Sequence, residues 1–113
     1  MLTVAELPSY ISEADRLLSG VERQDIVAYL SYNPKAGVLI RGSGGIRKLR
    51  WGRGGQGKSG GVRVIYYFHN EHIPLYLITV FGKGEKDNLT RQECNDLSDL
   101  AKDLVSLWLE KKK

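Results

Sequence analysis

The sequence predicts an α+β domain in the order β-α-α-β-β-β-α, a small antiparallel-rich sheet with helices packed on one face. Three observations point there. Apolar residues recur at helical spacing towards both ends of the chain, at Tyr10–Leu18 and at Cys94–Trp108. Between them lie three segments rich in β-branched and aromatic residues, each of strand length: Ile46–Trp51, Val62–Phe68 and Leu75–Phe81. The chain has 113 residues, 42% of them hydrophobic, which fits one domain over 1–113 and leaves no room for a second.

Leu2-Thr3-Val4 supplies a short edge strand. Pro8 suits a first helical turn, where its missing N–H is not needed. Tyr10, Ala14, Leu17 and Leu18 then follow at i, i+4, i+7 and i+8 as one helix face. Ser19-Gly20-Val21-Glu22 reads as a capping box, with the serine hydroxyl reaching forward and the glutamate reaching back to free amides. Ile26, Val27 and Leu30 form the apolar side of the second helix, and Asn33-Pro34 ends it.

Residues 37–61 hold ten of the thirteen glycines, so this region is rich in turns around its one strand. Val62–Phe68 carries a single charge, Arg63, and His69-Asn70-Glu71-His72 makes a turn after it. Leu75–Phe81 is almost wholly apolar, as a strand buried on both faces must be. Thr90-Arg91-Gln92-Glu93 is a second capping box, and lysines 111–113 complement the negative end of the helix that follows. The last three strands connect as a meander. The helices then cover one face of the sheet and leave the other free to work.

Composition excludes several classes of function. The single cysteine, Cys94, rules out a disulfide framework and a cysteine zinc site, and its place on the apolar helix face makes it a core residue. No apolar run approaches the ~20 residues of a membrane span. Met1 to Tyr10 lacks the basic start and apolar stretch of a secretory signal, so a cytoplasmic location is expected. His69 and His72 are turn residues with no accompanying carboxylates or thiols, and neither metal nor cofactor is expected.

Charge is the most informative feature. The net charge is +4, but between Asp25 and Glu71 there is no acid at all. That stretch carries Lys35, Arg41, Arg47, Lys48, Arg50, Arg53, Lys58 and Arg63. Ordinary surfaces intersperse both signs. A one-sign stretch concentrates positive potential, as contact with a phosphate backbone requires.

Gly52-Arg53-Gly54-Gly55-Gln56-Gly57-Lys58-Ser59 matches the phosphate-loop pattern GxxxxGK[ST], and its first six residues match GxGxxG. Both patterns need a helix directly after the loop, whose N-terminal amides hold the phosphates. Here Gly60-Gly61 and Val62-Arg63-Val64-Ile65 follow, which oppose a helix. The segment reads instead as a flexible basic hairpin loop.

Alternation puts Ile46, Lys48 and Arg50 on one face of their strand and Arg47, Leu49 and Trp51 on the other. In the next strand Arg63, Ile65 and Tyr67 share a face. A charge in mid-strand is costly unless its face is open or paired, and no acid lies nearby in sequence. Arg63 is therefore expected in an open cleft beside Lys48 and Arg50, with Lys83 and Lys86 converging from the end of the last strand. Like charges disfavour the charged form, so a lysine among cations can exchange protons near neutrality. Arginine keeps its proton but can hold a phosphoryl oxygen as charge builds. Lys48, Arg50, Arg63, Lys83 and Lys86 form a toolkit for cutting RNA without metal, and Arg47, Arg53 and Lys58 are candidate RNA or ribosome contacts. Trp51, Tyr66, Tyr67 and Tyr76 are mostly core, with one free to stack on a base.

Three blocks carry a family resemblance: Gly42-Ser43-Gly44-Gly45-Ile46-Arg47-Lys48-Leu49-Arg50-Trp51, Gly57 to Tyr67, and Leu77 to Leu89 with Gly82-Lys83-Gly84-Glu85-Lys86. Together they resemble the HigB branch of the RelE/ParE superfamily of type II toxins. The resemblance implies a RelE-like fold and a ribosome-dependent endoribonuclease that cuts translated mRNA. It also implies a cognate antitoxin, usually a small helix-turn-helix protein, with operator DNA bound only through the complex of the two. By motif position Lys48, Arg50, Lys58, Arg63, Lys83 and Lys86 inherit the functional role. Two departures stand out. Gly84 occupies the place where many relatives carry an arginine, and no tyrosine or histidine stands near either end of the last helix, which favours a lysine as general base. A ParE-type gyrase poison and a non-catalytic nucleic-acid-binding module are the alternatives.

Overall fold

The computed structural model describes residues 2–52, 61–86 and 88–111. The elements are β1 (Val4–Glu6), α1 (Pro8–Leu17), α2 (Gly20–Tyr32), β2 (Val38–Leu39), β3 (Ile46–Trp51), β4 (Val62–Tyr67), β5 (Leu75–Gly82) and α3 (Arg91–Lys111). The expected α+β order is present, with the two-residue β2 as an addition. The sheet order is β1-β5-β4-β3-β2. β2 to β5 pair antiparallel, and β1 lies parallel to β5, with Val4 opposite Leu75 and Glu6 opposite Leu77.

Local chemistry explains the boundaries. Ser19 accepts from the Glu22 amide at 3.1 Å while Glu22 accepts from the Ser19 amide at 2.9 Å, the reciprocal box that starts α2. The turn before β3 has Gly42, Gly44 and Gly45 in the left-handed region, where residues with a Cβ are strained. The fully buried Ser43 holds this turn, its hydroxyl donating to the Ile40 carbonyl at 2.6 Å and accepting from the Ile46 amide at 3.1 Å. A Cβ on Gly61 would collide with the Trp51 carbonyl, so glycine is required where β4 leaves the hairpin.

Two cores lie on opposite faces of the sheet. On one, Leu49, Val62, Val64, Tyr66, Leu75, Leu77 and Val80 pack with Tyr10 and Ala14 of α1 and Ile26 and Leu30 of α2. On the other, Ile46, Ile65, Tyr67, Ile78 and Phe81 pack with Ala101, flanked by Leu97, Leu100 and Val105 of α3. This corrects the expectation that all helices share one face. The apolar stripe of α3 needs sheet area that α1 and α2 already occupy, so it takes the opposite face, and only part of that face stays open.

Candidate active site

The open part is built by strand register. Arg50 of β3 stands directly opposite Arg63 of β4, and Lys48 opposite Ile65. On its other side Arg63 faces Phe81 of β5. Lys48, Arg50, Arg63 and Phe81 therefore lie on one face, at the end of the sheet where β3, β4 and the turn after β5 meet. Like charges facing each other across a ladder destabilise a sheet. The Arg50–Arg63 pair concentrates positive charge at this point of the sheet.

Exposure differs among these cations. Arg50 is exposed and Lys48 half-buried. Arg63 is only 5% exposed, with Nη1 donating to the Val62 carbonyl at 3.4 Å. Its strand neighbours are the expected ones, Arg50 on one side and Phe81 on the other, but it is buried, the floor of the site rather than an open wall. Lys48 Nζ donates to Asn88 Oδ1 at 3.4 Å, which ties β3 to the segment entering α3.

The turn after β5 brings the remaining cations. The Lys86 ammonium lies 5.9 Å from the Phe81 ring centroid, in the cation–π range, and pairs with Glu93. The Glu93 carboxyl is held below its ordinary range, first by this Lys86 contact and then by the Thr90 amide. Lys83 is exposed in the same turn, and its amide donates to the Gly61 carbonyl at 3.2 Å. Glu85 pins the turn by accepting from the Gly82 amide at 3.0 Å and from Arg16 of α1 at 2.7 Å.

Not every predicted residue joins this cluster. Arg47 projects to the opposite face, where Nη1 donates to the Gly37 carbonyl at 2.7 Å and to that of Lys35 at 3.2 Å. It clamps the loop before β2, together with Tyr66, whose hydroxyl donates to the Pro34 carbonyl and accepts from the Gly37 amide, both at 2.8 Å. Arg53 and Lys58, with residues 53–59 of the glycine motif, lie outside the described residues. Trp51 meets Tyr29 edge-on at 5.6 Å, on the α2 side. His69 is an exposed turn residue whose Nδ1 is 3.1 Å from the Tyr67 hydroxyl. Six residues of extended chain, roughly 20 Å, separate it from Arg63.

Sequence reasoning missed Asn88 and Phe81 as members of the site and read Glu93 only as a helix cap. The capping box was a usable signal for where Glu93 sits. Its contact with Lys86 needed the turn in three dimensions. Among the described residues, no group of three or more His, Cys, Asp and Glu side chains could hold a metal ion, and no helix is long and apolar enough to cross a membrane.

The arrangement is suited to a polyanion: three cations on adjacent strands, a fourth from the following turn, and an aromatic ring between them. A family model described as the RelE toxin of the RelE / RelB toxin–antitoxin system matches residues 40–112, from just before β3 to the end of α3. That span holds the whole cationic cluster and well over half of the 113 residues. The chain belongs to the RelE toxin family, and a cognate antitoxin goes with that membership.

Proposed function

We propose that this chain, as one toxin domain over residues 1–113, is a ribosome-dependent mRNA endoribonuclease of the HigB type that inhibits translation in the cytoplasm. Its antitoxin is a small helix-turn-helix protein, and operator DNA is bound only through their complex. The observation that carries this reading is the facing Arg50–Arg63 pair, with Lys48 and Lys86 on the same sheet face.

In this reading the scissile phosphate sits over Arg63, with Arg50 at the rim. Their guanidinium groups hold the non-bridging oxygens as charge builds on phosphorus. Lys48 serves as the general base that takes the proton of the 2′-hydroxyl. The 2′-oxygen bonds to phosphorus, the bond to the 5′-oxygen breaks, and the Lys86 ammonium gives that oxygen a proton. The products are a 2′,3′-cyclic phosphate and a 5′-hydroxyl end. Lys83, Arg53 and Lys58 would contact RNA or ribosome outside the reacting centre. In this reading, holding the RNA bent for in-line attack falls to the ribosome.

The test is mapping of mRNA 5′ ends in bacteria after brief induction, with Arg63→Ala as the control. New ends inside translated frames, absent in the control, are expected. Growth arrest without new ends would instead indicate a gyrase poison. Salt-sensitive RNA binding without cleavage on translating ribosomes would indicate a binding module.

A further inference from the structure

We propose that Glu93 is a positioning residue for the cleavage reaction: one carboxylate oxygen closes the first turn of α3 while the other holds the Lys86 ammonium over Phe81, beside Arg63. This inference rests on the ribonuclease reading above.

The carboxylate does two jobs with separate atoms. Its Oε1 accepts from the Thr90 amide at 2.8 Å, and the Glu93 amide donates to Thr90 Oγ1 at 3.1 Å, which completes the capping box. Its Oε2 pairs with Lys86 Nζ. A capping box needs one acceptor oxygen, and glutamine supplies it as well as glutamate does. The negative charge is not needed for that hydrogen bond; it suits the N-terminal end of the helix and also faces a lysine of the cluster.

That lysine needs holding. Lys86 is a compact charge on a flexible four-carbon stem, which takes one position only where contacts fix it. Phe81, whose ring lies 5.9 Å from the ammonium, is the direct β5 partner of Arg63, so the ring and the carboxylate together fix the ammonium next to the site floor. Glu85, in the same turn, accepts from the Gly82 amide and from Arg16.

Two variants separate the two jobs. Glu93→Gln keeps the cap and removes the charge. Thr90→Ala removes the cap hydroxyl and keeps the carboxylate beside Lys86. For Glu93→Gln the expected result is a melting temperature within about 2 °C of wild type. Its single-turnover cleavage on programmed ribosomes should fall about ten- to a hundredfold, at little-changed KM, as a misplaced catalytic group would. The Lys86 side-chain order parameter, read by NMR, should fall with it. Thr90→Ala should melt about 4 °C lower with cleavage and Lys86 order intact. In a Lys86→Met background, Glu93→Gln should add no further loss.

Glu93→Gln that leaves both the rate and Lys86 order unchanged overturns the proposal, as does full additivity with Lys86→Met. A wild-type protein that cuts no mRNA on ribosomes overturns the ribonuclease reading itself, and the NMR result then shows whether the Lys86–Glu93 geometry survives without it.

Discussion

The sheet face that carries α3 is divided in two, and the halves differ by a shift of two residues along each strand. In the covered half, Ile46, Ile65, Tyr67 and Ile78 pack with Ala101. In the open half, Lys48, Arg50 and Arg63 follow at the same alternation, with Phe81 as the boundary. The β3–β4 ladder runs in one register through both halves, while the β4–β5 ladder shifts register between Ile65 and Tyr66. The α3 stripe covers one half and leaves the other to the cations. The stable half lends rigidity to the unstable one, so the Arg50–Arg63 pair is imposed on strands already fixed by their neighbours.

The sharpest test of that division places one substitution on each side of it within β4. Ile65→Ala empties a fully buried site and should cost about 2–4 kcal/mol, a melting drop on the order of 10 °C or more. Arg63→Ala should retain the fold yet lower cleavage by roughly a hundredfold or more. Thermal melts and cleavage assays on the same two proteins would show whether stability and activity separate as the two halves do. Equal effects of both variants on both readouts would erase the distinction.

Glycines give a second, smaller contrast between the halves. Gly44 lies against α3 with φ +72°, and a Cβ there would come within 2.6 Å of Ser98 Oγ. Gly44→Ala should destabilise by about 1–2 kcal/mol. Gly84, in the turn of the open half, would place a Cβ in empty space. Gly84→Ala should change stability by less than about 0.5 kcal/mol, and Gly84→Arg should fold normally while adding a cation beside Lys83 and Lys86. Urea midpoints would measure all three.

Acid distinguishes the halves most gently. The Glu93 carboxyl is depressed in the native state, chiefly by its contact with Lys86. Its contribution is fully present above the ordinary carboxylate range of about 4.3 and is lost as pH falls through the lower native value. Amides of residues 90–95, over the open half, should therefore lose hydrogen-exchange protection in acid before those of residues 97–105.

Much of this division was legible before any coordinates. Alternation placed Lys48 and Arg50 with Arg63, and the acid-free stretch marked where the cations would gather. Two capping boxes located the starts of α2 and α3. What was not legible depended on distant partners. Nothing local to Leu97, Leu100 and Ala101 says which face of the sheet they will cover, since the stripe is equally apolar either way. Alternation gives Arg63 its strand neighbours but not its depth. Arg47 had a face assigned, but its clamp on the Lys35 and Gly37 carbonyls depends on how the loop before β2 closes.

The parallel pairing of β1 with β5 sets the order in which this molecule can come into being. Val4 waits some seventy residues for Leu75, and contacts of such separation form late. Translation delivers β1 first, yet its place at the sheet edge does not exist until β5 has emerged. The cationic cluster has the same requirement, because Phe81, Lys86 and Glu93 come from β5 and the chain beyond it. A nascent chain still short of Glu93 carries the arginines without the surface that organises them. In the reading proposed above, the ribosome making this protein is thereby spared until the chain has passed Glu93.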